Sequence, residues 1–259
     1  MSVPHRFAGR AIYVTGGGTG IGRAAALRLA AEGGAIAVSD IDAALARDVA
    51  AEIVAAGGTA FSTSCDITDS AAVQASFADA VARLGKLDIL VATAGGDWDE
   101  PAFEDIPDAL WNAKLDVNLV GAARCIRAAL PSLVAAGNDA NVVAIGSING
   151  NAAIGGYPYS AAKAGLESMI KNLAAQYGRS GVRFNLITPG TIRTRNWSGR
   201  DDDLARMAQR VPLGRVGEPA DIAAAVSFLA SPDAGWITGV NLPVEGGILV
   251  GTANPFTAD

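Results

Sequence analysis

Residues 11–22 read AIYVTGGGTGIG, a five-residue apolar run followed by five glycines within seven residues. The apolar run predicts a buried β-strand, and the amphipathic stretch that begins at Ile21 predicts a helix. Glycines between a strand and a helix let the backbone turn sharply, and the helix N-terminus offers unpaired N–H groups to an anion. The stretch therefore predicts a βα unit that binds the pyrophosphate of a dinucleotide, although a plain flexible turn has the same composition.

Short apolar runs alternate with longer amphipathic stretches along the rest of the chain. Strands are predicted at Ala11–Thr15, Ala35–Ser39, Thr59–Ser64, Leu87–Ala92, Asn141–Ile145, Arg183–Thr188 and Gly239–Pro243. Helices are predicted at Ile21–Glu32, Asp42–Ala56, Ser70–Leu84, Pro107–Ala136, Tyr159–Tyr177 and Pro219–Leu229. This alternation predicts an α/β fold, a doubly wound parallel sheet of about seven strands with helices on both faces. No linker or repeat interrupts the 259 residues, so residues 1–259 are interpreted as a single domain.

The least regular segment spans Arg193–Arg215. We interpret it as a loop or lid on the substrate side of the domain. Its acidic run, Asp201–Asp203, is typical of a solvated helix start, where carboxylates suit the positive end of the helix dipole.

The composition argues against several classes of protein. A formal net charge of -6 without a basic block is unsuited to nucleic acid, because that binding needs Lys and Arg side chains against phosphates. Cys65 and Cys125 are too few for a disulfide framework or a zinc site. We expect a cytoplasmic protein without a membrane span, since we find neither a signal-type leader nor an apolar run of about 18 residues. His5 is the only histidine, so we expect no metal site, and proton transfer near neutral pH needs another side chain.

Asp40 ends the second predicted strand, roughly 20 residues after the glycine turn, where a carboxylate can accept hydrogen bonds from an adenosine ribose diol. The same carboxylate would repel a 2′-phosphate, and residues 16–19 and 41–42 contain no Lys or Arg to bind that phosphate. Asp40 therefore predicts NAD rather than NADP. The alternative is that Asp40 only caps the next helix.

Tyr159 and Lys163 are four residues apart, which places them on one face of a helix. A phenol has an ordinary pKa of about 10, and a neighbouring ammonium lowers it, so the pair can replace the missing histidine as an acid and base. Many such pairs are only an ordinary helix face. Tyr157 is a poorer candidate, because Ala161 stands four residues after it.

Two further polar residues stand where the fold predicts the ligand crevice or the core. Ser147 follows the fifth strand, whose C-terminal end faces that crevice, and its hydroxyl could polarise a substrate carbonyl or simply belong to a turn. Asn118 lies in a mostly apolar helical pattern, so its amide needs partners. It either braces backbone or holds water in a proton relay, or does both.

These motifs, in this order and over essentially the whole chain, resemble the short-chain dehydrogenase/reductase family in its single-domain form. The resemblance implies a Rossmann-type fold, a nicotinamide dinucleotide bound at Thr15–Gly22, and adenine contact by Asp66. It also implies a catalytic tetrad of Asn118, Ser147, Tyr159 and Lys163. The implied cofactor-binding residues are Gly16, Thr19, Gly20, Ile21, Gly22, Asp40, Asp66, Ile67, Ala94, Gly95, Tyr159, Lys163, Pro189, Gly190, Ile192 and Thr194. The chain departs from the family at Ala92-Thr93-Ala94-Gly95, where Asn-Asn-Ala-Gly is usual.

The activity that the resemblance implies is reversible alcohol–carbonyl oxidoreduction, with NAD preferred. Tyr159 would exchange the proton, Ser147 would orient the substrate oxygen, and Lys163 would lower the tyrosine pKa and hold the nicotinamide ribose. Asn118 would position water that carries the proton outward. The resemblance also implies a homotetramer, which the apolar runs Leu166–Ala175 and Ile126–Ala136 fit as well as they fit core packing.

The substrate pocket is expected from loops that follow the strands, and its residues favour a small polar substrate such as a sugar or polyol. They are Asp97, Trp98, Asn149, Tyr157, Arg193, Arg195, Asn196, Trp197 and Arg200. The arginines would bind an anionic group or only balance Asp201–Asp203. Two alternatives stay open, a 3-oxoacyl thioester reductase, which Asp40 disfavours, and a non-catalytic dinucleotide sensor, which the Tyr159–Lys163 pair disfavours. A purely structural module explains neither the glycine turn nor the tetrad.

Overall fold

The structure, a computed structural model, describes residues 5–251 except for the side chain of Asp139. Its centre is a seven-stranded sheet with the order β3-β2-β1-β4-β5-β6-β7, in which every neighbouring pair is parallel. The strands are β1 Ala11–Thr15, β2 Ala35–Asp40, β3 Thr59–Ser64, β4 Ile89–Ala92, β5 Asn141–Ile145, β6 Arg183–Pro189 and β7 Asn241–Val244. The predicted doubly wound parallel sheet is thus confirmed.

Helices cover both faces of the sheet. They are α1 Gly20–Ala31, α2 Ala43–Ala55, α3 Ser70–Leu84, α4 Asp108–Leu115, α5 Gly121–Ala136, α6 Tyr157–Tyr177, α7 Asp201–Ala208 and α8 Pro219–Ala230. One core cluster packs α1, α2 and α8 against the sheet, and a second packs α3, α5 and α6 against the opposite face. Along β1, Ile12 and Val14 enter the first cluster and Tyr13 enters the second, because successive side chains of a strand point to opposite faces. Burial on both faces explains why the central strands β1, β4 and β5 are largely apolar, whereas the edge strand β3, TAFSTS, is only partly buried and contains polar residues.

The strand order reverses next to β1, which lies between β2 and β4. In such sheets the crevice outside the carboxyl ends of the strands at this reversal is the usual ligand site. The glycine turn follows β1 directly, so the fold places it at the mouth of that crevice.

Two predicted elements differ from the structure. The predicted helix Pro107–Ala136 is interrupted at Asp116–Val120 by a π-helical turn, which joins α4 to α5. The segment Arg193–Arg215 is not wholly irregular, because α7 begins at Asp201 with three carboxylates in its first turn. That position confirms the predicted helix start.

By length and composition alone, one continuous helical stretch of the described residues, Asp108–Ala136, is apolar enough to cross a membrane. We did not expect such a stretch from the sequence, because charged residues interrupt it. Its second half buries Cys125, Ile126 and Leu133 in the core cluster that also contains β4 and β5. Core packing therefore accounts for part of its apolar character, since about 33% of the apolar window is buried.

Two neighbouring residues of α2 test the burial of the core. Ile53 is 2% exposed and Val54 is 55% exposed. We expect Ile53→Ala to lower the free energy of unfolding by about 2–5 kcal/mol, because it leaves a cavity. Val54→Ala is the matched control and should change it by less than about 0.5 kcal/mol. Urea unfolding measures both, and equal effects of the two truncations would contradict the assigned face of α2.

Candidate active site

A crevice of about 440 Å³ opens at the carboxyl ends of the strands. Most of the predicted cofactor and catalytic residues line it. They are Gly16, Thr19, Gly20, Ile21, Gly22, Asp40, Asp66, Ile67, Ala94, Gly95, Ser147, Tyr159, Lys163, Pro189, Gly190, Ile192 and Thr194. Three of the predicted substrate residues, Asp97, Arg195 and Asn196, line it as well. The fold therefore brings together groups that are far apart in the sequence.

The glycine turn packs too tightly for side chains. Gly16 has a φ of +61°, and a Cβ built on it would lie 2.9 Å from the Cα of Ala94. A Cβ on Gly22 would collide with the carbonyl oxygen of Gly16. The turn therefore requires glycine at both positions, for the backbone conformation at the first and for close packing at both.

Thr93 stands where the family pattern has an amide, and it still braces the sheet. Its hydroxyl donates to the carbonyl oxygen of Thr15. The Thr15 hydroxyl oxygen accepts from the backbone N–H groups of Thr93 and Ala94, each at 3.1 Å. These bonds fasten the end of β4 to the end of β1, so the departure in sequence does not remove the support of the crevice.

Asp40 belongs to the crevice and does not cap α2. Its Oδ2 accepts from the N–H of Gly18 and its Oδ1 from the N–H of Asp42, both at 3.0 Å. The residue that caps α2 is Asp42, which accepts from Ala44 and Leu45. The alternative that Asp40 is only a helix cap is thus wrong, and its carboxylate lies beside the glycine turn.

Asp66 lies two residues beyond β3 and also lines the crevice. Its Oδ1 accepts from the hydroxyl and the N–H of Thr68, at 2.7 and 2.8 Å. These hydrogen bonds lower the pKa of its carboxyl, so Asp66 stays ionised at neutral pH.

Tyr159 and Lys163 lie on one face of α6, as their spacing predicts. The Lys163 ammonium is 5.5 Å from the centre of the Tyr159 ring and donates to the carbonyl oxygen of Ile145 at 2.9 Å. Lys163 is 6% exposed, and burial lowers its pKa from 10.5 to about 8. It forms no ion pair in the part of the chain that the structure describes.

The expected lowering of the Tyr159 pKa by Lys163 is not found. Burial raises the pKa of Tyr159, the nearby Ser147 hydroxyl lowers it, and the negative charge of Asp97 raises it, with a net increase. The reason is that desolvation disfavours the phenolate more strongly than the Ser147 hydroxyl, which donates to Asn149 Oδ1 at 3.2 Å, favours it. Tyr159 is therefore a neutral phenol in the ligand-free chain at neutral pH.

Asn118 lies on the π-helical turn and is 1% exposed. Its Nδ2 donates to the carbonyl oxygens of Gly96, at 2.8 Å, and Lys114, at 3.0 Å. Its Oδ1 accepts from the N–H of Gly96 at 3.0 Å. Asn118 thus braces the loop after β4, and its role in a proton relay stays a prediction.

The remaining predicted substrate residues surround the crevice without lining it. Arg193 pairs with Asp201 and Glu218, and Arg200 pairs with Asp203 and lies 4.6 Å from the ring centre of Trp197. These two arginines therefore balance carboxylates. The other three are found beside the first turn of α6, where Asn149 donates to Gly155, the Tyr157 ring packs on Phe103, and the Trp98 carbonyl accepts from Lys114.

Two residues of this region, Lys114 and Glu100, were not predicted from the sequence. The Lys114 side chain is 0% exposed, and its ammonium pairs with Asp97 at 2.8 Å and with Glu100 at 2.9 Å. The signal that could have indicated them is a lysine one helical turn before Asn118 in an otherwise apolar stretch, since such a charge needs a partner.

The residues of the crevice fit a nicotinamide dinucleotide. The side chain of Thr19, the N-cap of α1, makes no capping hydrogen bond, so the first turn of α1 is left for an anion. Asp40 offers a carboxylate at the end of β2, and Tyr159 and Lys163 face the same space. Within residues 5–251, no group of three or more His, Cys, Asp and Glu side chains is arranged to hold a metal ion.

Known proteins resemble this chain over nearly its full length. A family model described as enoyl-(acyl carrier protein) reductase matches residues 16–249. A 2,5-dichloro-2,5-cyclohexadiene-1,4-diol dehydrogenase of Sphingobium indicum is 38% identical over 95% of this chain and 99% of that protein. An L-rhamnose 1-dehydrogenase (NAD(P)(+)) of a Sphingomonas species is 38% identical over 93% and 97%. The solved structure of a 7α-hydroxysteroid dehydrogenase with NADH and 7-oxo glycochenodeoxycholic acid has a TM-score of 0.89 and 34% identity, over 94% and 96% of the two chains.

The buried ammonium of Lys163 predicts how stability depends on pH. Its pKa in the folded chain, about 8, lies below the ordinary 10.5, so the unfolded chain binds this proton more tightly. We therefore expect the unfolding free energy of the wild type, minus that of Lys163→Met, to rise between pH 8 and 10.5. The rise should be up to about 3 kcal/mol. Urea unfolding of both proteins across this range measures it, and a difference that is flat or falls with pH would count against the assignment.

Proposed function

The chain belongs to the short-chain dehydrogenase/reductase family, and we propose that it is an NAD-dependent oxidoreductase that interconverts a secondary alcohol, or a lactol hydroxyl, and a carbonyl on a small polar substrate. Members of this family bind a nicotinamide dinucleotide and transfer hydride between it and the substrate. One observation carries the proposal. The phenol of Tyr159 and the ammonium of Lys163 line the same crevice as the glycine turn and Asp40.

The nicotinamide ring, when bound, supplies or accepts the hydride, and the chain's own residues handle the proton. Tyr159 holds that proton at its phenolic oxygen and gives it to the substrate oxygen during carbonyl reduction. During alcohol oxidation Tyr159 first gives its proton to the proposed water of the relay and then, as phenolate, takes the proton of the substrate hydroxyl. Ser147, whose hydroxyl lowers the pKa of Tyr159 and donates to Asn149 in the ligand-free chain, turns to the substrate oxygen and orients it in this proposal.

Lys163 and Asn118 complete the proposed machinery. Because the Lys163 ammonium is buried without a carboxylate, its remaining hydrogens are available to the ribose hydroxyls of the nucleotide. Asn118 holds the loop at Gly96 and, in this proposal, positions the water that carries the proton outward past Lys163.

Asp40 supports NAD as the preferred cofactor. Its carboxylate lines the crevice next to Gly18, where it can accept hydrogen bonds from a ribose diol and repel a 2′-phosphate. The name of the L-rhamnose 1-dehydrogenase relative includes both NAD and NADP, so it does not indicate which of the two this chain prefers. The preference for NAD is therefore proposed from Asp40 alone.

The substrate that the site supports best is a sugar or polyol. The names of two relatives contain a cyclic diol and a sugar, and the crevice exposes polar groups at Asp97, Ser147 and Asn196. The description of the family model refers to an acyl carrier protein, which favours a thioester as the second candidate. A substrate screen with purified protein and NAD separates the two, because turnover of acyl thioesters alone would replace the polyol.

The remaining parts of the proposal concern the assembly and the setting of the enzyme. We propose a cytoplasmic homotetramer whose partners are small molecules, not nucleic acid or membrane. Two exposed apolar side chains, Val120 at the end of the π-helical turn and Val134 on α5, support association of subunits.

Replacement of Tyr159 tests the reaction class. We expect Tyr159→Phe to lower kcat with the best alcohol by at least about 100-fold, because it removes the proton-transfer group, while the Kd for NADH stays unchanged. Tyr177→Phe at the other end of α6 is the matched control and should keep near-wild-type kcat. Turnover kinetics and NADH fluorescence titration measure the two effects. Near-wild-type activity of Tyr159→Phe would remove its catalytic role.

Replacement of Asp40 tests the cofactor choice. We expect the wild-type kcat/KM with NAD to exceed that with NADP by about 10-fold or more, which corresponds to the free energy of one hydrogen bond to a charged group. Asp40→Ala should lower this NAD-to-NADP ratio of kcat/KM. Asp42→Ala is the matched control, because Asp42 caps α2 and does not line the crevice. It should lower stability by about 1 kcal/mol and leave the ratio unchanged. Equal kcat/KM values of the wild type for the two cofactors would remove the role given to Asp40.

A further inference from the structure

The buried ammonium of Lys114 binds the loop after β4 at three of its residues. The Lys114 side chain is 0% exposed, and its Nζ donates to Asp97 Oδ1 at 2.8 Å, Glu100 Oε2 at 2.9 Å and the carbonyl oxygen of Trp98 at 2.6 Å. These three bonds use all three hydrogens of the ammonium. Burial acts to lower the pKa of Lys114, but the bonds to Asp97 and Glu100 outweigh it and raise the pKa, so the group stays charged.

Only one of the two oxygens of Asp97 takes part in this cluster. Oδ1 accepts from Lys114 and from the N–H of Trp98 at 3.0 Å, which fixes the orientation of the carboxylate. Oδ2 makes no hydrogen bond within the described part of the chain, and the side chain is 42% exposed at the wall of the crevice. Asp97 therefore presents a fixed and unused acceptor to the space where substrate enters.

That unused oxygen lies beside the start of α6. A Cβ built on Gly156 would lie 3.5 Å from Asp97 Oδ2, 3.6 Å from Asn149 Nδ2 and 3.8 Å from the Cβ of Tyr159. The negative charge of Asp97 is also one of the causes that raise the pKa of Tyr159. Both observations place the free oxygen at the start of α6, the helix that carries the proposed proton-transfer group.

The cluster of Asp97, Glu100 and Lys114 that holds this oxygen carries a net negative charge. One ammonium, Lys114, faces two carboxylates, Asp97 and Glu100, which leaves one negative charge in the cluster. Arg195 lines the crevice, but it also lines the adjoining cavity with Gly20 and Arg23, at the N-terminus of α1. Among the described residues, Lys114 is the cation that pairs with Asp97, whereas Lys163 and Arg195 line the same crevice without forming an ion pair with it.

We propose that Asp97 is a specificity-determining residue, whose Oδ2 accepts a hydrogen bond from a second hydroxyl of the substrate, and that Lys114 is the residue that positions it. A carboxylate accepts hydrogen bonds and repels another carboxylate, so the site selects uncharged diols, polyols and sugars over simple alcohols and hydroxy acids. This inference rests on the proposed function, because it concerns the substrate of the same site.

The test compares substrates that share one ring. We would measure kcat/KM with NAD for cyclohexanol, the 1,2-, 1,3- and 1,4-cyclohexanediols and 4-hydroxycyclohexanecarboxylate, in the wild type and in Asp97→Ala. The wild type should prefer its best diol to cyclohexanol by about 10-fold or more. Asp97→Ala should lower kcat/KM for the diol about 10-fold more than kcat/KM for cyclohexanol. It should also raise the ratio of kcat/KM for the hydroxy acid to kcat/KM for the diol.

Glu100→Gln is the matched control, because Glu100 binds the same ammonium but does not line the crevice. Its diol-to-cyclohexanol ratio of kcat/KM should stay close to that of the wild type. Lys114→Met should lose the diol preference, and circular dichroism checks that it folds. A folded Lys114→Met that keeps the diol preference would remove the positioning role given to Lys114.

Two results overturn the inference alone. One is a parallel loss for diol and cyclohexanol in Asp97→Ala, and the other is an equal shift of the ratio in Glu100→Gln. If the wild type turns over no secondary alcohol of the panel with NAD or NADP, the proposed function fails and this inference fails with it.

Discussion

The crevice depends on the junction between the ends of β1 and β4. There the Thr15 hydroxyl oxygen accepts from two backbone N–H groups of the next strand, and the Thr93 hydroxyl donates back to Thr15. Gly16 adds a backbone contact with Ala94 that leaves no room for a side chain. This junction fixes the point from which the loop after β4 leaves the sheet. Beyond that point the loop bonds to the helical stretch 108–120 at two places, Gly96 to Asn118 and Asp97 to Lys114. The junction therefore fixes both the cofactor side of the crevice, at the glycine turn, and the substrate side, at Asp97.

The two buried lysines of the site, Lys114 and Lys163, differ in how many groups bind their ammonium and in the direction of their pKa shift. Lys114 has two carboxylates and a carbonyl oxygen around its ammonium, and its pKa is raised. Lys163 has one carbonyl oxygen, and burial lowers its pKa to about 8. A fully paired buried charge stabilises a fixed geometry, whereas an underpaired one is held ready for a ligand and makes the folded chain less stable. The structural lysine and the catalytic candidate are thus distinguished by what surrounds them and not by their depth.

Much of the architecture could be predicted from the sequence because a parallel sheet buries both faces. Its central strands are nearly continuous apolar runs, and the glycine turn and the Tyr159–Lys163 spacing are local patterns. The π-helical turn could not be predicted, because no local pattern marks it, and the partner of its Asn118, Gly96, lies 22 residues earlier in the chain. The Lys114 cluster depends in the same way on a loop that approaches from another part of the chain. The raised pKa of Tyr159 was missed because spacing gives the neighbour of a group and not its desolvation.

The number of residues in the π-helical turn, Asp116–Val120, determines how α5 is rotated relative to α4. Each residue advances an α-helix by about 100°, so the wider turn changes the angular phase between α4 and α5. Lys114 and Asn118 point toward the loop after β4, while Cys125 and Leu133 point into the core on the other side of the turn. A regular α-helix of the same sequence could not satisfy both directions at once. The segment therefore sets the rotation of α5 relative to α4, and deletion of one of its residues would turn the core-facing side of α5 by about 100°.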